Sequence, residues 1–309
     1  MSAHAKVGVF AEGRVDRFRS PEMKTHKLKF TGSCTLTEFE ERCEQQDYWY
    51  HSFYFDNDFH KRGSYDIGRD IDSYGFPADM NGMSVLDVGT GSGWFATYFE
   101  QRGADVTAVD VRGYCDFDLF GKMDYPDPKL DKKWPDYTTP DGRAIYFSPV
   151  SQGFWIMKQI LGLKANYVNA RIYELCPELF GGKKFDLVFL GALLMHVRDP
   201  IGALAAARTV CGNLLIANSL RLNDFVPGLP AESARHKPLM TLLTSSAGGG
   251  FDWWAPDHAC LIKWFEAAGF SEVDADRTVN LTVDKPFELP NGMSDGAANQ
   301  TLYLMHARV

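Results

Sequence analysis

The amino-acid sequence predicts an α/β fold in which a mostly parallel β-sheet is covered by helices on both faces. Two observations lead to this prediction. Short apolar runs alternate with helical stretches from Ser84 to the last residues, as they do in sheets built from βαβ units. A glycine-rich turn also joins the first of these strands to the following helix, within SVLDVGTGSGWFATYFEQRGADVTAVDV.

The elements are predicted in chain order. A polar helix is expected at TLTEFEERCEQQ, because threonines followed by acidic residues suit a helix N-terminus. An aromatic stretch, YWYHSFYFDNDFH, and a turn, YGFPADMNG, come next. The sequence then predicts, in order, the strand SVLDVG, the helix GWFATYFEQRG closed by Gly103, the strand ADVTAVDV, the helix SQGFWIMKQILG, the strand FDLVFLGALL, the helix DPIGALAAARTVC, the strand NLLIAN, the helix DHACLIKWFEAAGF and the terminal strand QTLYLMHARV.

The predicted organisation is one large domain with additions. Residues 1–47 form an N-terminal cap or extension and residues 48–309 form the main domain. Two stretches exceed what a minimal alternating unit needs, at about 112–149 and 221–256. The first is rich in Pro, Asp and aromatic residues, and the second carries the aromatic stretch FDWW. Connections of this length are often functional.

Composition excludes several classes of protein. The formal net charge is −8, which disfavours a large phosphate-binding surface. The six cysteines include no C-x-x-C pair, and the N-terminus does not resemble a secretory signal, so we expect reduced thiols and a cytoplasmic protein. No apolar run approaches the roughly 20 residues of a membrane span. No metal-ligand spacing is evident, so no metal is expected, and a homodimer stays open.

The glycine turn indicates what kind of ligand the domain holds. Gly89, Gly91 and Gly93 are each two residues apart, whereas dinucleotide enzymes use G-x-G-x-x-G. Asp87, just before them, would repel a pyrophosphate but suits an amino group. Asp110 ends the second strand, where a carboxylate can accept hydrogen bonds from a ribose diol. The pattern favours a nucleoside attached to an amino acid, with NAD or no ligand as alternatives.

Longer stretches resemble a known family. VLDVGTGSGWFATYFEQRGADVTAVDV resembles motif I and the acidic strand end of class I S-adenosylmethionine-dependent methyltransferases, and FDLVFLGALLMHVRDPIGALAAARTV resembles their fourth strand and the segment after it. WYHSFYF, YGFPADMNGMSVLDVGTGSG and FDWWAPDHACLIKWFEAAGF are most similar to the branch beside the CmoB-type tRNA wobble-uridine carboxymethyltransferases. The resemblance runs from about Tyr48 to Phe270, excluding the two insertions, and implies a Rossmann-like fold with a seven-stranded sheet.

The resemblance also implies a cofactor, S-adenosyl-L-methionine, a product, S-adenosyl-L-homocysteine, and a set of binding residues. The glycine turn would approach the methionine part, Asp110 would hold the ribose, and the residues after the third strand, NYVNA, would pack on the adenine. The implied cofactor-binding residues are Asp87, Gly89, Thr90, Gly91, Gly93, Asp110, Val111, Ile172, Tyr173, Gly191 and Ala192. In the tRNA-modifying branch, a segment rich in lysine and arginine before motif I recognises a carboxylated cofactor. The corresponding YFDNDFHKRGSYDIGRDIDSYGF is mixed in charge, which favours the plain cofactor.

The acceptor of the methyl group must be inferred from the walls of the pocket. Aromatic side chains with polar tips suit small organic ligands, and we expect Tyr50, Phe53, Trp253 and Trp254 to bind the substrate, with structural packing as the alternative. His196, after the fourth strand, and His51 are the candidate general bases, because histidine accepts protons near neutral pH. Either histidine could instead brace its loop.

Three functions stay open from the sequence. The first is methyl transfer to an O or N atom of a small aromatic or heterocyclic metabolite. The second is modification of a tRNA wobble uridine, for which Lys24, Lys27, Lys29, Lys61 and Arg62 would supply a basic surface, although nucleic acid is not the expected partner. The third is a cofactor-binding scaffold without catalysis.

Overall fold

The computed structural model describes residues 24–46, 48–111, 118, 149–226, 237–243, 252–285 and 299–309, together with the backbone of short strands at 137–138 and 144–145. The helices in this part of the chain are α1 Leu36–Cys43, α2 Trp94–Gln101, α3 Pro149–Leu161, α4 Pro200–Val210 and α5 His258–Ala267. The strands are β1 Phe53–Tyr54, β2 His60–Lys61, β3 Ser84–Val88, β4 Asp105–Asp110, β5 Tyr137–Thr138, β6 Ala144–Ile145, β7 Asn166–Asn169, β8 Phe185–Leu190, β9 Cys211–Ser219, β10 Met240–Leu242, β11 Trp254–Pro256, β12 Glu272–Leu281 and β13 Gln300–Arg308.

A seven-stranded sheet forms the centre of the fold, in the order β12-β13-β9-β8-β3-β4-β7. The β3–β4, β3–β8, β4–β7 and β8–β9 pairs are parallel, and β13 and β12 add to one side as antiparallel strands. The predicted Rossmann-like, mostly parallel sheet of seven strands is confirmed. The strand order reverses at β3, since β4 lies on one side of it and β8 on the other, and α/β sheets bind ligands at the carboxyl ends of the strands at such a point.

Both faces of the sheet are covered, as the apolar strands predicted. Successive residues of β3 point to opposite faces: Val85 packs in one apolar core with α2, and Leu86 packs in a second core with α4 and α5. Burying both faces explains why β3 and β8 read as continuous apolar runs rather than as alternating ones.

The described part of the N-terminal segment shares the first of these cores. Thr35 caps α1 through a capping box with Glu38, which confirms the predicted helix. Phe39 on α1 is fully buried and packs edge-to-face on Phe55, with ring centroids 5.9 Å apart. The division at residue 47 stays a prediction, since these contacts join the two sides of it into one apolar cluster.

One predicted strand ends earlier than expected, and one strand of the central sheet was not predicted. The strand predicted at FDLVFLGALL ends at Leu190, because Ala192 adopts a left-handed backbone with φ 48° and donates its N–H to Asn218 Oδ1. β12 was not predicted, since its edge position leaves charged side chains exposed along most of its length. The first insertion lies mostly outside the described residues, and the second contributes β10, which pairs with β11. Among the described helices, none is long and apolar enough to cross a membrane.

Candidate functional site

The glycine turn lies at the carboxyl end of β3 and forms the centre of the site. Gly89, Gly91 and Gly93 have φ of 77°, 56° and 83°, a left-handed conformation that disfavours side chains with a Cβ. The turn is closed by the N–H of Gly89 on the carbonyl of Val109 at 2.8 Å and the N–H of Gly93 on the carbonyl of Thr90 at 2.9 Å. Gly93 also packs closely on α3, because a Cβ added there would lie 2.8 Å from the ring of Phe154.

Two carboxylates are buried beside this turn. Asp87 accepts the hydroxyl of Thr90 at 2.7 Å, and the two oxygens of Asp110 accept the N–H groups of Gly91 at 2.9 Å and Val111 at 2.8 Å. Burial raises the pKa of Asp87 to about 7 and that of Asp110 to about 6, against the pull of these hydrogen bonds. A ligand that brings positive charge or hydroxyl donors would favour their ionised forms.

The carboxyl end of β7 lies next to Asp110 and adds an unpartnered acceptor. Asn169 is the register partner of Asp110, and its buried Oδ1 has no hydrogen-bond partner. Ile172, buried, and Tyr173, partly buried, follow in the short 3₁₀ helix Ile172–Glu174. Asn169 was missed by the sequence reasoning, and its place at the end of the third strand, beside the acidic end of the second, is the signal that could have identified it.

Asp118, from the first insertion, connects three segments at this edge and was also missed. Its carboxylate accepts from the Arg171 guanidinium at 2.8 Å, from the Tyr173 hydroxyl and from the Arg198 backbone N–H at 2.9 Å. Its carbonyl accepts from the indole N–H of Trp253. The loop after β7, the loop after β8 and the second insertion are therefore held together through one residue.

The exit of β8 contacts the glycine turn. A Cβ added at Gly191 would lie 2.7 Å from the ring of Phe189, and one added at Gly89 would lie 3.4 Å from Leu193. Leu193 is therefore the residue of this exit that contacts the turn, and Gly191 and Ala192 come directly before it in the chain. Their role in binding stays a prediction.

The aromatic stretch covers the other side of the turn. Ser92 Oγ accepts the backbone N–H of Tyr50 at 3.1 Å and that of His51 at 3.5 Å. The His51 ring packs edge-on to Phe95 with centroids 5.8 Å apart, and its buried Nδ1 has no partner. Burial lowers the pKa of His51 to about 3, so the imidazole is neutral at physiological pH. Tyr50 is partly buried here, whereas Phe53 is fully buried between Trp49 and Phe55 and lies in the core rather than at the site.

His196 lies in the loop after β8, at the rim of the site, and Trp253 and Trp254, which were predicted to bind the substrate, contact the same loop. His196 Nδ1 lies 3.0 Å from Asp252 Oδ1, and the N–H of Trp253 donates to the carbonyl of Met195 at 2.7 Å. The Trp253 ring lies 5.1 Å from the Arg198 guanidinium, and the indole N–H of Trp254 donates to the Arg198 carbonyl at 3.0 Å. Both tryptophans therefore brace the loop after β8. Among the residues that the structure describes, no group of three or more His, Cys, Asp or Glu side chains is arranged to hold a metal ion.

The sheet order defines a Rossmann-like protein, and the glycine turn and the acidic strand end make the carboxyl edge of β3 and β4 its candidate ligand site. Residues 59–274 match a family described as "Methyltransferase domain". The match covers most of the chain, so the chain belongs to the methyltransferase-domain family, and the prediction of a methyltransferase is confirmed. This family assignment agrees with the expected S-adenosylmethionine cofactor.

Curated relatives and solved structures add two comparisons. The tRNA U34 carboxymethyltransferase of Dichelobacter nodosus (strain VCS1703A) is 24% identical over 208 residues, which cover 67% of this chain and 51% of that protein. The protein of the same name from Trichodesmium erythraeum (strain IMS101) is 26% identical over 151 residues, 46% of this chain and 41% of that protein. The chain thus spans about half the length of the curated relatives it matches. The N-terminal domain of EvdMO1 with S-adenosylhomocysteine bound has a TM-score of 0.55 at 15% identity, covering 89% of this chain and 98% of that one, and shares the fold.

Proposed function

We propose that the protein uses plain S-adenosylmethionine to methylate an O or N atom of a small aromatic or heterocyclic metabolite. The observation that supports it best is the turn itself, in which a left-handed glycine backbone is flanked by the buried carboxylates Asp87 and Asp110. This set of groups suits an ammonium group and a ribose diol rather than a pyrophosphate.

The residues present fit the cofactor. Asp110 has remaining lone pairs beside its two backbone donors, so it can accept ribose hydroxyls. The unpartnered Oδ1 of Asn169 can accept a hydrogen bond from the exocyclic amino group of an adenine. Ile172 and Tyr173 supply an apolar wall against which the adenine ring can pack. Asp87, Gly89, Thr90, Gly91 and Gly93 would hold the amino-acid part, Val111 would border the ribose, and Gly191 and Ala192 would border the methyl end.

When bound, the cofactor supplies an electrophilic methyl group on a sulfonium. The protein must then orient the acceptor, exclude water and, for a protonated acceptor, remove a proton. His196 is the better candidate base, because it is partly exposed at the rim and paired with Asp252. The buried neutral His51, with its pKa near 3, suits an orienting role beside Tyr50.

The tRNA alternative is favoured by the names of the curated relatives, but the described basic residues support it poorly. Lys27 pairs with Asp58 at 2.6 Å and Arg62 with Asp284 at 2.9 Å, so two of the five cations expected to bind phosphate already have a carboxylate partner. Lys61 lies over the Trp49 ring at 5.7 Å. Salt-dependent binding of unmodified tRNA in a gel-shift assay would favour this alternative.

The deciding experiment incubates the purified protein with methyl-deuterated S-adenosylmethionine and a metabolite extract, followed by mass spectrometry. We expect a small molecule to gain a trideuteromethyl group, and the reaction to be strongly reduced in Asp110→Asn but not in Asp105→Asn. Asp105 begins the same strand and pairs with Lys183 at the opposite edge. Cofactor binding with no methylated small molecule would support the scaffold, and labelled tRNA would support the RNA alternative.

Location and assembly stay at the level of proposals. The free cysteines in the described residues, Cys34, Cys43, Cys176, Cys211 and Cys260, accord with the cytoplasmic location that we propose. A homodimer stays a prediction to be tested by light scattering.

A further inference from the structure

The second insertion brings a carboxylate to His196, and the pairing is supported by the backbone on both sides. His196 Nδ1 and Asp252 Oδ1 are 3.0 Å apart. The backbone N–H of His196 donates to the carbonyl of Leu193 at 2.9 Å, and the backbone N–H of Trp253 donates to the carbonyl of Met195 at 2.7 Å. Met195, before His196, and Trp253, after Asp252, are thus joined by a backbone hydrogen bond, which holds the two side chains close together.

This contact selects one form of the imidazole. A neutral histidine has one N–H and one acceptor nitrogen, and a carboxylate beside Nδ1 holds the N–H there. Nε2 is then the nitrogen with the lone pair. The carboxylate also stabilises the imidazolium that forms when Nε2 takes up a proton. Charged groups of the described residues that contact the neighbouring Trp253 are the Arg198 guanidinium, over its ring, and Asp118, whose carbonyl accepts its indole N–H.

The pair belongs to the loop after β8, which contacts the glycine turn. The carbonyl of Leu193 accepts the backbone N–H of His196 at 2.9 Å. A Cβ added at Gly89 would lie 3.4 Å from the side chain of Leu193. Leu193 therefore connects the backbone of His196 to the first glycine of the turn, and the proposed methyl-transfer point lies on this side of the turn.

We propose that Asp252 is a positioning residue that presents His196 as the general base for a hydroxyl acceptor. This inference rests on the proposed function and narrows it from O or N to O–H. The acceptor oxygen forms a bond to the methyl carbon while the carbon–sulfur bond breaks with its electron pair on sulfur. The hydroxyl proton passes to Nε2 of His196 and then to solvent. A neutral hydroxyl needs such a base, whereas a neutral amine attacks with its own lone pair and releases its proton afterwards.

The test that needs no acceptor is NMR of the full-length protein with ¹⁵N-labelled histidine, saturated with S-adenosylhomocysteine. His196→Asn assigns the His196 signals. In the wild type we expect His196 to be the Nδ1–H tautomer. In Asp252→Asn we expect a mixture of the two tautomers and a His196 pKa that is lower by about one unit than in the wild type. Asp276→Asn is the matched control, since Asp276 lies 3.9 Å from Nε2 of another histidine, His258, and its loss should leave the His196 signals unchanged.

The activity test uses the acceptor found with the deuterated cofactor. We expect His196→Asn to lower kcat about 100-fold or more with little change in KM. Asp252→Asn should lower kcat about 10-fold and move the acid limb of its pH profile to lower pH, which a purely structural defect would not do. An Nε2–H tautomer in the wild type, or identical His196 spectra in wild type and Asp252→Asn, would overturn the pairing but leave the proposed methyl transfer intact. A product methylated on nitrogen would overturn the hydroxyl assignment.

Discussion

Asp110→Asn tests the candidate cofactor site most directly. The substitution keeps the size of the side chain but leaves one acceptor oxygen for two donors, the N–H groups of Gly91 and Val111 at 2.9 and 2.8 Å. The new NH₂ group also replaces an oxygen proposed to accept a ribose hydroxyl. Hydrogen bonds to charged groups contribute about 1.5–3 kcal/mol, so we expect the affinity for S-adenosylhomocysteine to fall about 10- to 150-fold.

The measurement is isothermal titration calorimetry at pH 7.5, with circular dichroism to show that the variant is folded. Asp105→Asn is the control, because Asp105 lies at the other end of β4 and pairs with Lys183 at 2.7 Å. Its Kd should equal that of the wild type. A folded Asp110→Asn protein with wild-type affinity would refute the assignment of Asp110 to the cofactor.

The buried Asp110 should also make the stability of the wild-type protein depend on pH, and the same variant tests this. Burial raises the pKa of Asp110 from 3.8 to about 6, so the folded protein binds this proton more tightly than the unfolded chain. The stabilisation is complete below pH 4 and is lost as the pH rises through 6, and linkage gives a loss of about 1.4 kcal/mol between pH 5 and 7.5. Asn does not titrate, so the free energy of unfolding of the wild type minus that of Asp110→Asn should fall by about this amount over that range in the ligand-free protein. An increase in urea titrations would contradict the buried-carboxylate argument.

Three other substitutions or measurements follow from the site. Gly93→Ala should lower the free energy of unfolding measured in urea by about 2–5 kcal/mol, because backbone strain at φ 83° adds to a 2.8 Å contact between the new Cβ and Phe154. Gly182→Ala is the control, at φ 85° with open space around it, and should cost only about 1–2 kcal/mol. Equal losses in the two variants would rule out the close packing of Gly93 on Phe154. Asp118→Asn should weaken S-adenosylhomocysteine binding about 5-fold or more in calorimetry through the loss of the Arg171 pair, while Asp224→Asn, which breaks the pair with Arg221, should not. The NMR signals of His51 should not titrate between pH 5 and 8, since its pKa is about 3, and a midpoint near 6.5 would show that the ring is solvated.

The parts of the site that the sequence predicted are those encoded by neighbouring residues. Gly89, Gly91 and Gly93 lie within five positions, and strand alternation places Asp110 at the same sheet edge as Asp87. The contacts that could not be predicted join distant positions. Asp118 meets Tyr173 across 55 residues and Trp253 across 135, and no local pattern indicates such pairs.

The sequence also left undecided which aromatic side chains are buried in the core. The stretch YWYHSFYF suits either a pocket wall or a core, and the structure divides it: Phe53 is fully buried while Tyr50 lies over the glycine turn. β12 shows the opposite case, in which an edge strand with exposed charges lacks the apolar run that identified β3 and β8. Sequence periodicity therefore predicted the buried strands better than the edge.

The charge at the carboxyl edge bears on which acceptors the site can admit. Asp87 and Asp110 are buried beside the turn, and Asp252 lies at the rim with His196. The nearby cation Arg171 is paired with Asp118, and Arg198 lies over the Trp253 ring. A polyanionic acceptor would be repelled by those of these carboxylates that are ionised and by the overall charge of −8, whereas a sulfonium cofactor and a neutral hydroxyl acceptor would not. The electrostatics that suit the proposed cofactor are therefore also consistent with the small neutral acceptor that we propose.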